Sequence, residues 1–173
     1  MQNKTERLQT KISNEVHQFR QKQRTLQLAT LDSEQFPHAS YAPFVYHELC
    51  YFILISDLAI HGQNLKHNNK VGIAIMEDEA NTANIFARRR LTYTAIAEHI
   101  ERDSQTWQFI IEQLVKNAGE TTTILSQLGD FNLYRLVPLA GRYVKGFAQA
   151  YSIDAAELPG VSALNAKGHV SLN

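Results

Sequence analysis

TLQLATLDSEQFPHASYAPFVYHELCYFILI, residues 25–55, is the stretch that decides the fold. From Thr25 to Leu31 apolar residues alternate with polar or small ones, the period-two signature of a half-buried strand. Asp32 to Gln35 then make a polar turn, a second strand runs from Pro37 to Tyr46, His47 and Glu48 make a tight turn, and Leu49 to Ile55 forms a third strand. Consecutive strands joined by short turns predict an antiparallel meander. Pro37 and Pro43 cannot donate to a ladder and so mark edges or bulges.

Working outward, Leu8, Ile12, Val16 and Phe19 recur at helical spacing between Thr5 and Gln23, which predicts an amphipathic helix with Thr5 as N-cap, packed on something else. Downstream, Ser56 and Asp57 offer a cap for a short helix through about Asn68, and Val71, Ile73 and Ile75 alternate in a strand. A polar turn covers Glu77 to Asn84, and a long strand spans Leu91 to Ile100. Asp103 or Ser104 caps a helix carrying Trp107, Ile110, Ile111, Leu114 and Val115, which Gly119 terminates. A shorter helix, Thr121 to Leu128, stops at Gly129, and strands follow at Phe131 to Leu139 and Arg142 to Tyr151. Beyond Ser152 the tail is loosely patterned and contains Pro159 and Gly160. These elements predict a single domain over 1–173, with a helix in 1–23, a barrel in 24–151 and a tail in 152–173. Six or seven strands with few helices predict a mainly β antiparallel barrel, since closure removes the exposed edges. A barrel this small is filled by its own side chains, so ligands are expected outside it, most naturally in a groove between two copies of a homodimer.

Composition narrows the function. The chain has 173 residues, 44% hydrophobic and 20% charged, and its 17 basic residues balance 17 acidic ones, so no overall field attracts nucleic acid or an anionic membrane. Any anionic ligand must meet a local basic cluster. The single cysteine, Cys50, excludes a disulfide framework within one chain and a cysteine-rich metal site, and fits a reducing cytoplasm. No run approaches the ~20 apolar residues that span a bilayer, and Met1 to Gln23 has no apolar core of signal-peptide length, so a soluble protein without membrane insertion is expected.

Four features carry possible chemistry. Arg88, Arg89 and Arg90 precede the long strand, and their guanidinium forks suit phosphate or carboxylate, although a solvated turn reads equally well. His61 lies on the short helix after Ser56-Asp57, where a lone histidine is ordinarily a surface or core residue. His169 sits five residues from the end, in a segment that is ordinarily mobile; a neutral imidazole there is able to bind a metal through one ring nitrogen. Asp130 follows Gly129 at the start of a strand, where an ordinary turn acid is also expected. Glu77, Asp78 and Glu79 read as a solvated turn. The chain lacks a Gly-rich phosphate loop, a Gly-x-Ser-x-Gly elbow, a paired-histidine zinc motif and an RNA-recognition strand pattern.

Leu26-Gln27-Leu28-Ala29-Thr30-Leu31, Pro37-His38-Ala39-Ser40, Ser56-Asp57 and Asn64-Leu65, in this order of elements, resemble the pyridoxamine 5'-phosphate oxidase-like, FMN-binding split barrels over about Thr25 to Glu101. Ala87-Arg88-Arg89-Arg90-Leu91, Leu128-Gly129-Asp130-Phe131, Arg135-Leu136, Pro138, Gly141, Gly146-Phe147-Ala148 and Gly168-His169 resemble the HugZ-like haem-utilisation branch, which extends the likeness to nearly the whole chain. That resemblance implies a split-barrel homodimer with haem in its groove and His169 as the axial iron ligand. Asp130 is then the acceptor for the other imidazole N–H, and Arg90, Arg88 and His61 lie at the haem periphery or distal side. It also implies oxidative haem breakdown for bacterial iron acquisition, with haem as both substrate and cofactor and an unidentified electron donor. Haem storage or delivery without turnover, and an FMN-dependent oxidoreductase, are the competing readings. Flavin-binding members commonly place a lysine three residues before the Asn-Leu pair for the FMN phosphate, and here that position is His61, which weakens the FMN alternative.

Overall fold

The computed structural model describes residues 4–155 and 159–163. Helix α1 (Lys4–Gln21) leads into β1 (Thr25–Leu31) and β2 (Pro37–Pro43); β3 (Val45–His47) and β4 (Cys50–Ser56) follow as a second hairpin. After α2 (Ile60–His67) and β5 (Lys70–Met76), two 3-10 turns carry the chain to β6 (Arg90–Ile100). Helices α3 (Gln105–Ala118) and α4 (Thr121–Ser126) precede β7 (Phe131–Gly146), β8 (Gln149–Asp154) and β9 (Pro159–Ala163).

The hydrogen-bonded strand order is β2-β1-β5-β6-β7-β4-β3, with β8 beside β7 and β9 beside β8. The first and last strands of that path are joined through Phe44 alone, so the sheet curls round until its ends are chain neighbours. This is the split barrel, and it corrects the expected meander: β2 and β4 are not paired. Pro43 has no N–H for a ladder, and the Phe44 amide turns back to the Arg24 carbonyl at 3.1 Å, so the strand expected from Pro37 to Tyr46 breaks there. The second turn is Glu48-Leu49 rather than His47-Glu48, with both residues at positive φ as a tight hairpin turn requires.

Alternation does the filling. Leu26, Leu28, Val71, Ile73, Ile75, Leu91, Tyr93, Tyr51, Ile53 and Leu136 form one buried cluster inside the barrel. Ile12, Val16 and Phe19 of α1 join it, so the helix plugs its own barrel; each side chain contributes about 1.5–3 kcal/mol of apolar burial, enough to hold the helix down. Thr5 lies inside this helix rather than capping it. A second cluster, Phe52, Trp107, Ile110, Leu114 and Leu133, seats α3 on the outer face of β4 and β7. Ser104 caps α3 by accepting the Trp107 amide, and Gly119 ends it at φ 92°, as expected.

Two further expectations change. The strand expected at Phe131–Leu139 and the first half of the one expected at Arg142–Tyr151 are one 16-residue strand, β7, and the rest of the second span lies past a turn at Phe147-Ala148 in β8. Gly141 is a packing glycine, not a break: a Cβ there would meet the Tyr93 ring at 2.3 Å, and the irregularity is taken up by a bulge in pairing at Thr94/Ala95. Pro159 and Gly160 belong to β9, which extends the sheet alongside α1. Among the described residues no helix is long and apolar enough to cross a membrane.

Candidate functional site

At one end of the barrel the chain converges on Asp130. Ser56 and Phe131 are the last paired residues of β4 and β7, which puts Asp130 one residue beyond the ladder. Its carbonyl accepts the Asp57 amide at 2.7 Å, and its Oδ2 accepts the Ser56 hydroxyl at 2.5 Å. Ser56 Oγ in turn accepts the Leu58 amide at 3.0 Å, so Ser56 caps the turn before α2, not the helix itself, whose N-cap is Ala59. The other side of the loop is held by Arg102. Its guanidinium donates to the carbonyls of Ser126, Leu128 and Phe131 at 2.5–2.8 Å, while its cationic carbon lies 4.6 Å from the Trp107 ring centroid.

Beside this loop a cavity of 370 Å³ is lined by Asp57, Leu65, Lys66, Ala97, His99, Asn132 and Tyr134. Asp57 Oδ2 pairs with Lys66 Nζ at 2.7 Å, and its Oδ1 is buried without a hydrogen-bond partner among the described residues. His99 Nε2 lies 3.1 Å from Asn132 Oδ1. Burial, and after it the Asp57 charge, pushes the Tyr134 hydroxyl above the ordinary tyrosine range.

His61 occupies the first turn of α2, at the same end of the barrel. Gly62 lets that turn press on the Ser56-Asp57 backbone: a Cβ would come within 2.2 Å of the Ser56 carbonyl oxygen. Burial first, and the neighbouring His38 of β2 second, hold the His61 imidazole below its ordinary range, which favours the neutral ring at pH 7.

The arginine run lies elsewhere. Arg88 donates to the Glu77 carbonyl at 2.5 Å and to Glu79 at 2.9 Å, and Arg89 clasps the Glu77 carboxylate. Glu77 is therefore buried and paired rather than part of a solvated turn, and the hydrogen bond from Arg89 holds its carboxyl below the usual range despite burial. Two of the three arginine charges are thus matched by carboxylates. Arg90 opens β6, half-buried, with Nη1 3.1 Å from the Arg88 carbonyl. Asp130 lies past the far end of this 11-residue strand, which spans about 33 Å at ~3.3 Å per residue. The structure brings His61 and Asp130 to one end and Arg88 and Arg90 to the other. His169 lies outside the described residues.

Between the two ends runs an outer face of the sheet. Ala39, Ala29, Gly72, Thr94 and Ala140 stand in register across β2, β1, β5, β6 and β7, and the next row is Tyr41, Gln27, Ala74, Thr92 and Arg142. With so few long side chains, these rows floor a largely apolar groove of 590 Å³. Ser56 as a partner of Asp130, Arg102, Arg142 and this stripe were not picked out from the sequence. Cross-strand register alone assembles the stripe, although each strand's period-two pattern marked its outward residues.

A curled antiparallel sheet plugged by its own N-terminal helix, with polar clusters at both ends and an apolar stripe between them, defines a split-barrel protein. The chain belongs to the pyridoxamine 5'-phosphate oxidase family, whose model matches residues 12–145. It is 48% identical over 155 residues to heme oxygenase HutZ of Vibrio cholerae serotype O1, covering 90% of this chain and 88% of that one. A crystal structure of Vibrio cholerae HutZ, described as a heme storage protein, matches 72% of this chain and 88% of its own with a TM-score of 0.69. Campylobacter jejuni ChuZ matches at a TM-score of 0.81 and 31% identity, over 94% of this chain and 65% of its own.

Proposed function

We propose that this protein binds haem between two copies of the chain and opens the haem ring oxidatively, releasing iron for bacterial use in the cytoplasm. The observation that carries the reading is the 48% identity to a heme oxygenase along 90% of the chain. In this reading His169 ligates the iron, Asp130 accepts the second imidazole N–H and so fixes the tautomer, and Arg90, Arg88 and His61 attend the haem edge. Iron porphyrin supplies the oxygen chemistry, with dioxygen and an external electron donor as co-reactants; the protein supplies ligation, orientation and access.

The placement of the two ends supports a homodimer. Arg90 and Asp130 lie at opposite ends of one barrel, separated by a strand about 33 Å long, so for both to serve one porphyrin two copies would pack antiparallel through the apolar stripe, with one copy's Arg90 end near its partner's Asp130 end. Ala29→Arg, at an exposed position in the middle of the stripe, is expected to give a folded monomer by light scattering that no longer binds haemin saturably. A monomer that still binds haemin would overturn the shared site.

The deciding titration adds haemin to wild type and to His169→Ala. A saturable Soret band lost in the variant is expected, and an unchanged ferric spectrum removes His169 as the ligand. The description of HutZ as a storage protein favours a second reading, haem held without turnover. Reductant under air separates the two: the Soret band decays to ring-opened product if the haem is degraded and persists if it is stored. FMN fits less well. Its phosphate needs standing positive charge, but His61 is held toward neutrality and Arg88 and Arg89 are already matched by Glu79 and Glu77.

A further inference from the structure

We infer that Arg142 is a further ligand-binding residue, which together with Arg90 grips two carboxylates carried on one edge of an apolar, planar ligand. The inference rests on the haem reading above, because haem carries its two propionates on one edge. Arg142 stands opposite Thr92 in the ladder of β6 and β7, and Arg90 stands opposite Val144, two residues along. Alternation puts Arg90, Thr92 and Arg142 on the outer face, since Leu91, Tyr93 and Tyr143 between them are buried in the core. The two arginines are diagonal neighbours, with Cβ atoms about 7 Å apart, so both guanidinium groups can reach one ligand edge.

Neither charge has an acidic partner. Arg88 and Arg89 are matched by Glu79 and Glu77, whereas no carboxylate among the described residues pairs with Arg90 or Arg142. Arg90 donates once, to the Arg88 carbonyl at 3.1 Å, and Arg142 is exposed. A guanidinium has five N–H donors in a planar fork that takes a carboxylate two bonds at a time, so both side chains keep that capacity. Two like charges at this spacing also repel, and an anionic ligand relieves the repulsion. Arg142 lines the apolar groove beside Ala74, Ala140 and Gly141. A ligand seated there meets small apolar residues with its ring and a cation with its acidic edge.

The test compares haemin with its dimethyl ester, which shares the iron and the ring and lacks only the two carboxylate charges. In Soret titrations, wild type is expected to bind haemin about tenfold more tightly than the ester, or better. Arg142→Gln should weaken haemin about tenfold and leave the ester unaffected, and Arg142→Lys should recover part of the loss. Light scattering should report one oligomeric state throughout; a change in Arg142→Gln would assign the residue to the contact between copies and overturn the inference. Equal affinity of wild type for haemin and ester overturns it without any variant, as does an Arg142→Gln loss shared equally by both ligands. If haemin binds wild type and Arg142→Gln alike, the inference falls while the haem reading stands. If haemin does not bind wild type saturably, both fall.

Discussion

The two ends of the barrel hold charge in different ways. At the Asp130 end, a carboxylate is fixed by bonds directed at the main chain: Asp57 N–H on its carbonyl and Arg102 on three neighbouring carbonyls. At the arginine end, Arg88 and Arg89 meet Glu79 and Glu77 mostly through side chains, and two of the four, Glu79 and Arg89, face water enough to be screened. Main-chain anchors fix a position to within a hydrogen-bond length, whereas solvent-facing ion pairs are worth about 0–1 kcal/mol and tolerate rearrangement.

Substitutions can break that contrast in order of size. Gly62→Ala drives a Cβ against the Ser56 carbonyl, a backbone atom with nothing flexible to yield, and is expected to cost about 3 kcal/mol in urea unfolding. A loss below 1 kcal/mol would mean that the Asp130 end is softer than described. Arg102→Ala removes three charged hydrogen bonds and is expected to cost about 2 kcal/mol and to increase amide exchange through residues 126–131; unchanged exchange there would free the loop from Arg102.

Glu77→Gln at the other end, where a buried carboxylate loses its charged hydrogen bond to the part-exposed Arg89, is expected to cost about 1.5 kcal/mol at pH 7. Its pH dependence has a definite sign. Pairing with Arg89 lowers the native Glu77 pKa, so its stabilisation is complete above the unfolded value of about 4.3 and is lost as pH falls through the lower native value. Wild-type and variant stabilities should therefore converge in acid, and a gap that persists there would assign the loss to packing instead. The smallest effect sharpens the Asp130 end: His38→Asn should raise the His61 pKa slightly by NMR titration, because burial, the larger cause, remains. No change would locate the whole depression in burial.

Features written in local pattern were legible in the sequence. The spacing of Ile12, Val16 and Phe19, the alternation of β1, the Ser104 cap and the Gly119 stop each depend on residues within a turn or two, where side-chain period and backbone sterics act directly. Length, composition and the absence of extra cysteines likewise bounded the class. Asp130, His61 and the arginines were visible as residues, but their grouping was not. That Gly141 accommodates Tyr93 instead of breaking a strand, that Glu77 is buried under Arg89, and that Ser56 reaches Asp130 across 74 positions depend on which strands become neighbours. Pairing β4 with β7 and closing the sheet at Phe44 are settled by the joint burial of side chains far apart in sequence, and no local period encodes such a partner choice. By itself the sequence determined the elements and the residues able to do chemistry; only the tertiary structure decided which of them share an end of the barrel.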